Sequence, residues 1–277
     1  MMDINDYLCS VIVQMERKSS YVRPKKALGQ HFLTDQGIAR SIVDALEEGG
    51  QVLEVGPGMG VLTQYLIERQ DVTLKAVEVD EESVRYLLSH FPKLGKSLYE
   101  ADFLKLPLEK VFDGPFNVIG NFPYNISSQI FFRILDYRTE IREVVCMIQK
   151  EVAERIATGP GSKTYGILSV LLQAWYDIEY LFSVSEGAFL PPPKVKSAVI
   201  RLKRNGRTCL EDREGNKVSD ENFKRVVKTA FNQRRKTLRN SLKPLLTSPA
   251  GSLPVEFASQ RPEQLSVEDF IELTASL

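Results

Sequence analysis

An apolar run, Gln51-Val52-Leu53-Glu54-Val55, ends at a turn with glycine at alternate positions, Gly56-Pro57-Gly58-Met59-Gly60. A helix-forming segment, Val61 to Ile67, follows directly. Strand, glycine turn and helix form the opening unit of a parallel sheet. The same alternation then recurs. Strands are predicted over Leu74–Asp80, over Ser97–Ala101, from Phe116 to just before Asn121, and over Glu143–Ile148. Ahead of the first strand, Thr34 or Asp35 can cap a helix with Ile38, Ile42, Val43 and Leu46 on its apolar face, ended by Gly49-Gly50. This pattern predicts an α/β fold with a doubly wound, mostly parallel sheet. Two later β-rich segments, Tyr176–Val184 and Ser197–Lys203, predict a hairpin and hence an antiparallel edge strand.

In such sheets ligands bind beyond the carboxyl ends of the strands. Four successive strand ends carry a candidate. Gly56, Gly58 and Gly60 let a ligand approach the backbone and present the helix's free N–H groups. Dinucleotide-binding dehydrogenases carry G-x-G-x-x-G here. This chain has Val61 at the last position, so its spacing is G-x-G-x-G, as in S-adenosylmethionine-dependent methyltransferases. Glu78 lies about 20 residues past the glycines, where a carboxylate can accept both ribose hydroxyls of a nucleoside. A single acid after a strand is more often just a surface group; four successive strand ends with such residues make chance a poor account. Asp102 can accept a hydrogen bond from an adenine amine.

The fourth strand runs into Gly120-Asn121-Phe122-Pro123-Tyr124. Asn offers an acceptor and two donors. Pro fixes its own φ and restricts Phe122 before it. Tyr124 offers a flat face with a polar tip. Such a stretch can grip a planar amine and stack its ring; the alternative is a proline turn with a core tyrosine.

At 277 residues the chain suits one large domain and a small one. The divisions expected are an N-terminal extension at 1–21, a methyltransferase-like domain at 22–204, a polar linker at 205–218, and a small all-α C-terminal domain at 219–277. Net charge is zero, so charge carries information only through local asymmetry. Between Phe223 and Lys243 there is no acid, but there are Lys224, Arg225, Lys228, Arg234, Arg235, Lys236 and Arg239. A run of one sign on a neutral protein points to phosphates rather than to a solvated helix face. Cys9, Cys146 and Cys209 are far apart and form no Cys-x-x-Cys, which suggests reduced thiols in a cytoplasmic protein without zinc. Two histidines exclude a His-rich metal site. No apolar run approaches a membrane span, and the acids Asp3 and Asp6 are wrong for an export signal. The basic stretch Arg23–Leu33 reads as a linker or as a strap over a ligand. Gly159–Gly166 reads as a mobile loop with one cation. Phe189, before Pro191-Pro192-Pro193, is either core filler or a second aromatic plate.

Taken together, Leu28-Gly29-Gln30-His31-Phe32-Leu33, Glu54-Val55-Gly56-Pro57-Gly58, Glu78-Val79-Asp80, Asn121-Phe122-Pro123-Tyr124, Phe189 to Ser197 and Phe231-Asn232-Gln233-Arg234-Arg235-Lys236 resemble the ribosomal RNA adenine dimethyltransferases of the small-subunit type, in the same order and over roughly residues 22 to 275. The resemblance implies a class I methyltransferase fold. It implies dimethylation of two adjacent adenosines near the 3′ end of 16S ribosomal RNA in an assembling small subunit, with S-adenosylmethionine as donor and no metal. It places His31, Leu33, Gly56, Glu78, Asp102 and Asn121 at the cofactor, Asn121, Pro123 and Tyr124 on the target base, and Phe189 stacked upon it. The family more often has Leu at position 122 and often Asn at position 31.

Overall fold

A computed structural model describes residues 22–246 and 253–277. The expected N-terminal extension, with Cys9, lies outside the described residues up to its last position, 21. The strands are β1 (Phe32–Leu33), β2 (Gly50–Val55), β3 (Val72–Glu78), β4 (Leu98–Glu100), β5 (Phe116–Asn121), β6 (Ile141–Gln149), β7 (Tyr176–Val184), β8 (Phe189–Leu190) and β9 (Ser197–Arg204). Seven of them form one sheet in the order β4-β3-β2-β5-β6-β9-β7. The first five in that order run parallel, and β9 runs against both β6 and β7. The antiparallel pairing of the last two strands is as the alternation predicts. The reversed strand, β9, lies inside, with β7 outside it at the edge. Strand order reverses between β2 and β5, which places the ligand crevice beyond their carboxyl ends.

Successive residues of the central strands bury opposite faces. Val118 and Val144 join one apolar cluster, whereas Ile119 and Val145 join the other. Helix α1 (Gln36–Asp44) covers the second face with Ile42 and Val43, and Asp35, not Thr34, is its cap, accepting from the Ile38 amide at 3.0 Å. The helix expected over 61–67 is a single turn, α2 (Thr63–Leu66). Helix α3 (Glu81–His90) follows β3, α4 (Ser127–Asp136) follows β5, and α5 (Lys150–Ala157) and α6 (Ile167–Gln173) follow β6.

The C-terminal region is helical: α7 (Asp220–Asn232), α8 (Leu238–Ser241), α9 (Val255–Ala258) and α10 (Val267–Ala275). Its buried residues, among them Phe223, Val227 and Phe270, are continuous with the first sheet cluster through Leu168, Leu171 and Leu172 of α6. The segment expected to be a linker is folded. Leu210–Glu211 and Lys217–Val218 form a short hairpin whose Leu210 is fully buried. Arg213 in its turn reaches Asp269 and Glu272 of α10. The loop expected to be mobile is tied as well: the Gly161 amide donates to the Glu263 carbonyl at 2.7 Å, and the Arg234 guanidinium donates to the carbonyls of Ser162 and Lys163.

Candidate active site

A cleft of about 270 Å³ opens at the carboxyl ends of β2, β3 and β5. Its floor is the glycine turn. Gly56 has φ +67°, and a Cβ there would meet no atom within 4 Å, so the backbone lies bare to the cleft. Gly60 does other work. It does not line the cleft, and a Cβ would come within 2.2 Å of the Phe91 ring, so this glycine allows α3's end to pack closely. The Gly58 amide donates to Glu78 Oε2 at 3.0 Å, while the amides of Val79 and Asp80 donate to Oε1 at 2.9 Å each. Glu78 is thus held by three backbone donors at the end of β3. Burial nonetheless outweighs them and raises its pKa above the ordinary carboxylate value.

Glu54, on β2, is a cleft residue to which the sequence motif Glu54-Val55-Gly56-Pro57-Gly58 assigned no role. It is 1 % exposed, and its Oε2 accepts from the Thr63 hydroxyl at 2.7 Å. Burial pushes its pKa up to about 8, and the nearby Glu78 adds to that. Asp102 lines the cleft beyond β4, one oxygen accepting from the Leu104 amide at 2.9 Å.

The stretch Arg23–Leu33 is laid along the cleft like a strap and does not run free as a linker. Ala27 to Leu33 line the cleft opposite the glycine turn. The strap is fastened by Lys25 to Asp80, whose side chain is 2 % exposed, with Gln30 and Ser83 also bonded to that carboxylate. Burial pushes the Asp80 pKa up, but Lys25, Ser83 and Gln30 together hold it below the ordinary value. At the strap's end β1 pairs antiparallel with β8, Leu33 opposite Phe189.

Asn121, Pro123 and Tyr124 line the cleft on the β5 side. The Asn121 amide nitrogen donates to the His31 carbonyl at 3.0 Å, which leaves Oδ1 as the acceptor. The Pro123 carbonyl takes the Ile126 amide at 3.2 Å and keeps a second lone pair. The Tyr124 hydroxyl lies 2.5 Å from Ser197 Oγ, a fully buried hydroxyl at the start of β9. Burial raises the Tyr124 pKa, so the ring stays a neutral phenol. The His31 ring stacks on Tyr124 at 5.6 Å and its Nδ1 meets the Pro191 carbonyl at 2.9 Å. Of the two readings open for Phe189, its surroundings fit core filler. It is 4 % exposed, sits in the apolar cluster with Ile119 and Met147, and does not line the cleft. An apolar ring on a two-residue strand gains more from that core than from solvent.

The basic run is not one helix face. Lys224 and Lys228 of α7 lie over the Phe132 ring, and Lys224 pairs with Asp136. Arg234 is spent on the 159–166 loop and on Glu263. Arg225, Arg235, Lys236 and Arg239 remain exposed, divided among α7, the turn after it and α8. Among the described residues no His, Cys, Asp and Glu cluster could hold a metal, and no helix is long and apolar enough to cross a membrane.

The donor set fits S-adenosylmethionine. Bare backbone at Gly56 admits close approach, and Glu78 and Asp102 can accept from a ribose diol and an adenine amine. Buried Glu54, once it gives up the proton that burial makes it keep, can offer a countercharge for a cationic amino acid end. Sheet order, glycine turn and strand-end acids together define a class I S-adenosylmethionine-dependent methyltransferase. Within that class the chain belongs to the ribosomal RNA adenine dimethylase family, which matches residues 22–273. It is 60 % identical over 256 residues to the ribosomal RNA small subunit methyltransferase A of Parabacteroides distasonis, covering 91 % of this chain and 93 % of the relative. The protein of that name from Cytophaga hutchinsonii is 54 % identical over 259 residues, covering 92 % and 98 %. Among solved structures, the 23S rRNA methyltransferase ErmE superposes with a TM-score of 0.64 at 27 % identity, over 89 % of this chain and 99 % of that one. A dimethyladenosine transferase from Plasmodium falciparum shares the fold, with a TM-score of 0.70 at 23 % identity over 88 % and 96 %.

Proposed function

We propose that this chain dimethylates the N6 amines of two adjacent adenosines in a hairpin near the 3′ end of small-subunit ribosomal RNA, in the cytoplasm and on an assembling small subunit. The relatives at 60 % and 54 % identity, matched over nearly their whole length, support the small-subunit substrate over the large-subunit one, for which the similar enzyme is only 27 % identical. The intact Asn121-Phe122-Pro123-Tyr124 motif argues against a non-catalytic assembly factor on the same fold.

The carrying observation is the orientation of Asn121. Its amide nitrogen is engaged by the strap, so its oxygen is the atom presented to a substrate. An exocyclic adenine amine is a poor nucleophile because its lone pair is delocalised into the ring. When Asn121 Oδ1 and the Pro123 carbonyl accept its two N–H bonds, they favour the tetrahedral nitrogen that develops on attack. Gly56, Glu78 and Asp102 would hold S-adenosylmethionine, which when bound would supply an electrophilic methyl group. No residue need act as general base for the attack, because the nitrogen becomes cationic as it gains the methyl group and only then gives its proton to water. Tyr124, held by Ser197, replaces the stacking that an extruded adenosine gives up.

Methyl transfer to purified undermethylated small and large subunits tests the reading. Incorporation at two adjacent adenosines of the small subunit, with none in the large, is expected; the reverse pattern would sink it.

A further inference from the structure

A second depression, a groove of about 730 Å³, adjoins the cleft and shares a wall with it: Gly29, Gln30, His31 and Tyr124 line both. Its far side is the proline segment after β8. Two apolar side chains on that side are left partly bare. Leu190 is 49 % exposed and Val195 44 % exposed, two of the five large apolar side chains so exposed among the described residues. The rim carries Lys26 and Lys194, and no carboxylate lines the groove. Lys25, one position away, is paired with Asp80 and Glu82; Lys26 and Lys194 form no ion pair among the described residues. The Gln149 amide also faces the groove and can meet a base edge.

Proteins hold single-stranded nucleic acid with aromatic rings on which bases stack and cations that neutralise the backbone. This groove has the His31 and Tyr124 rings on the shared wall, cations at its rim, and aliphatic Leu190, Pro191 and Val195 that can bury a base's apolar face. We infer that this groove seats the nucleotide adjoining the target adenosine, its base against Leu190, Pro191 and Val195 and its phosphate near Lys26 and Lys194. The inference rests on the function proposed above. When one base turns past Tyr124 into the cleft, its neighbour on the strand is carried to the other side of the shared wall, where this groove begins. For a substrate with two adjacent adenosines, one is then parked while the other reacts. The groove is separate from the exposed cations of the C-terminal helices, so it reads a base position where those read backbone charge.

The test uses the whole protein and small subunits rebuilt with a 3′ RNA segment that is either natural or abasic at the neighbouring nucleotide. For the native protein, loss of the neighbouring base should raise KM for subunits about tenfold. The double variant Leu190→Ser, Val195→Ser should show a similar rise on natural RNA and no further rise on abasic RNA. Both side chains are exposed, so the fold is insulated from these changes, and cofactor affinity by calorimetry should stay constant. Lys194→Glu should reduce the slope of log K against log salt by about one. Indifference of the native protein to the missing base would overturn the inference. So would an equal loss by the double variant on both RNAs, which would mean that the groove grips something else on the subunit, such as a protein. A native protein that methylates neither RNA would sink the proposed function itself, so the two failures are distinguishable.

Discussion

The two walls of the active site are built on opposite plans. On the cofactor wall, at β2 and β3, the polar groups are buried and already satisfied: Glu78 takes three amides and Glu54 a hydroxyl. On the substrate wall the contacts are half-exposed or exposed side chains, namely Tyr124 and, in the adjoining groove, Leu190, Pro191, Val195, Lys26 and Lys194. A small ligand of fixed shape rewards preorganised, desolvated partners, since an unpaired buried group costs more than a hydrogen bond returns. RNA carries its charge outside and must be released after reaction, so exposed cations that exchange counterions suit it. Asn121 stands between the walls, its nitrogen tied to the strap and its oxygen free.

If that division is right, Asn121→Ala should be the most damaging single change. The single-turnover methylation rate should fall about 10²–10³-fold, the typical loss for one preorganised partner. Affinity for RNA should survive, and that for the cofactor should weaken only modestly. A near-native rate would remove the residue from its place between the walls.

Glu78→Ala should break the cofactor wall alone. It removes a carboxylate and leaves three buried amides unpaired, so S-adenosylmethionine affinity by calorimetry should drop about 10–100-fold. Subunit binding should be unaffected. Equal losses for both ligands would show that the walls are not independent.

Arg235, Lys236 and Arg239 line neither the cleft nor the groove, so reversing them to Glu should weaken subunit binding alone. The slope of log K against log salt for subunit binding should flatten by about three, with cofactor affinity intact. Arg234 does not belong in this set, because it fastens the 159–166 loop. An unchanged slope would mean that these cations meet only solvent.

The smallest effect sharpens the character of the cofactor wall. Glu54 has its folded pKa raised to about 8 from 4.5. Between those values the folded chain keeps a proton that the unfolded chain has lost. Stability from this group is therefore full below about pH 4.5, declines as pH rises, and levels off above about 8. A bound cation needs the ionised form, so cofactor affinity should rise several-fold from pH 6.5 to 8. Binding below pH 8 should release a proton, seen as a buffer-dependent calorimetric heat. A flat profile with no proton release would show that Glu54 does not face the cation.

Much of this was legible in the chain itself. Strand, glycine turn and helix are local patterns of period two and 3.6, and they specified the parallel sheet and its ligand edge. Gly56, Glu78, Asp102 and Asn121 were readable because topology places the carboxyl ends of the parallel strands β2, β3, β4 and β5 on the same side. Other assignments depended on long-range packing, which local pattern does not encode. Gly60 serves the Phe91 ring rather than the cleft, Phe189 went to the core, and residues 205–218 folded onto α10. Lys25 found Asp80 across 55 positions, and Ser197 found Tyr124 across 73. The basic run shows the limit most plainly. Its charge was countable along the chain, but which cations remain free for phosphate was decided only when Asp136, Glu263 and a loop's carbonyls arrived from distant segments to claim Lys224 and Arg234.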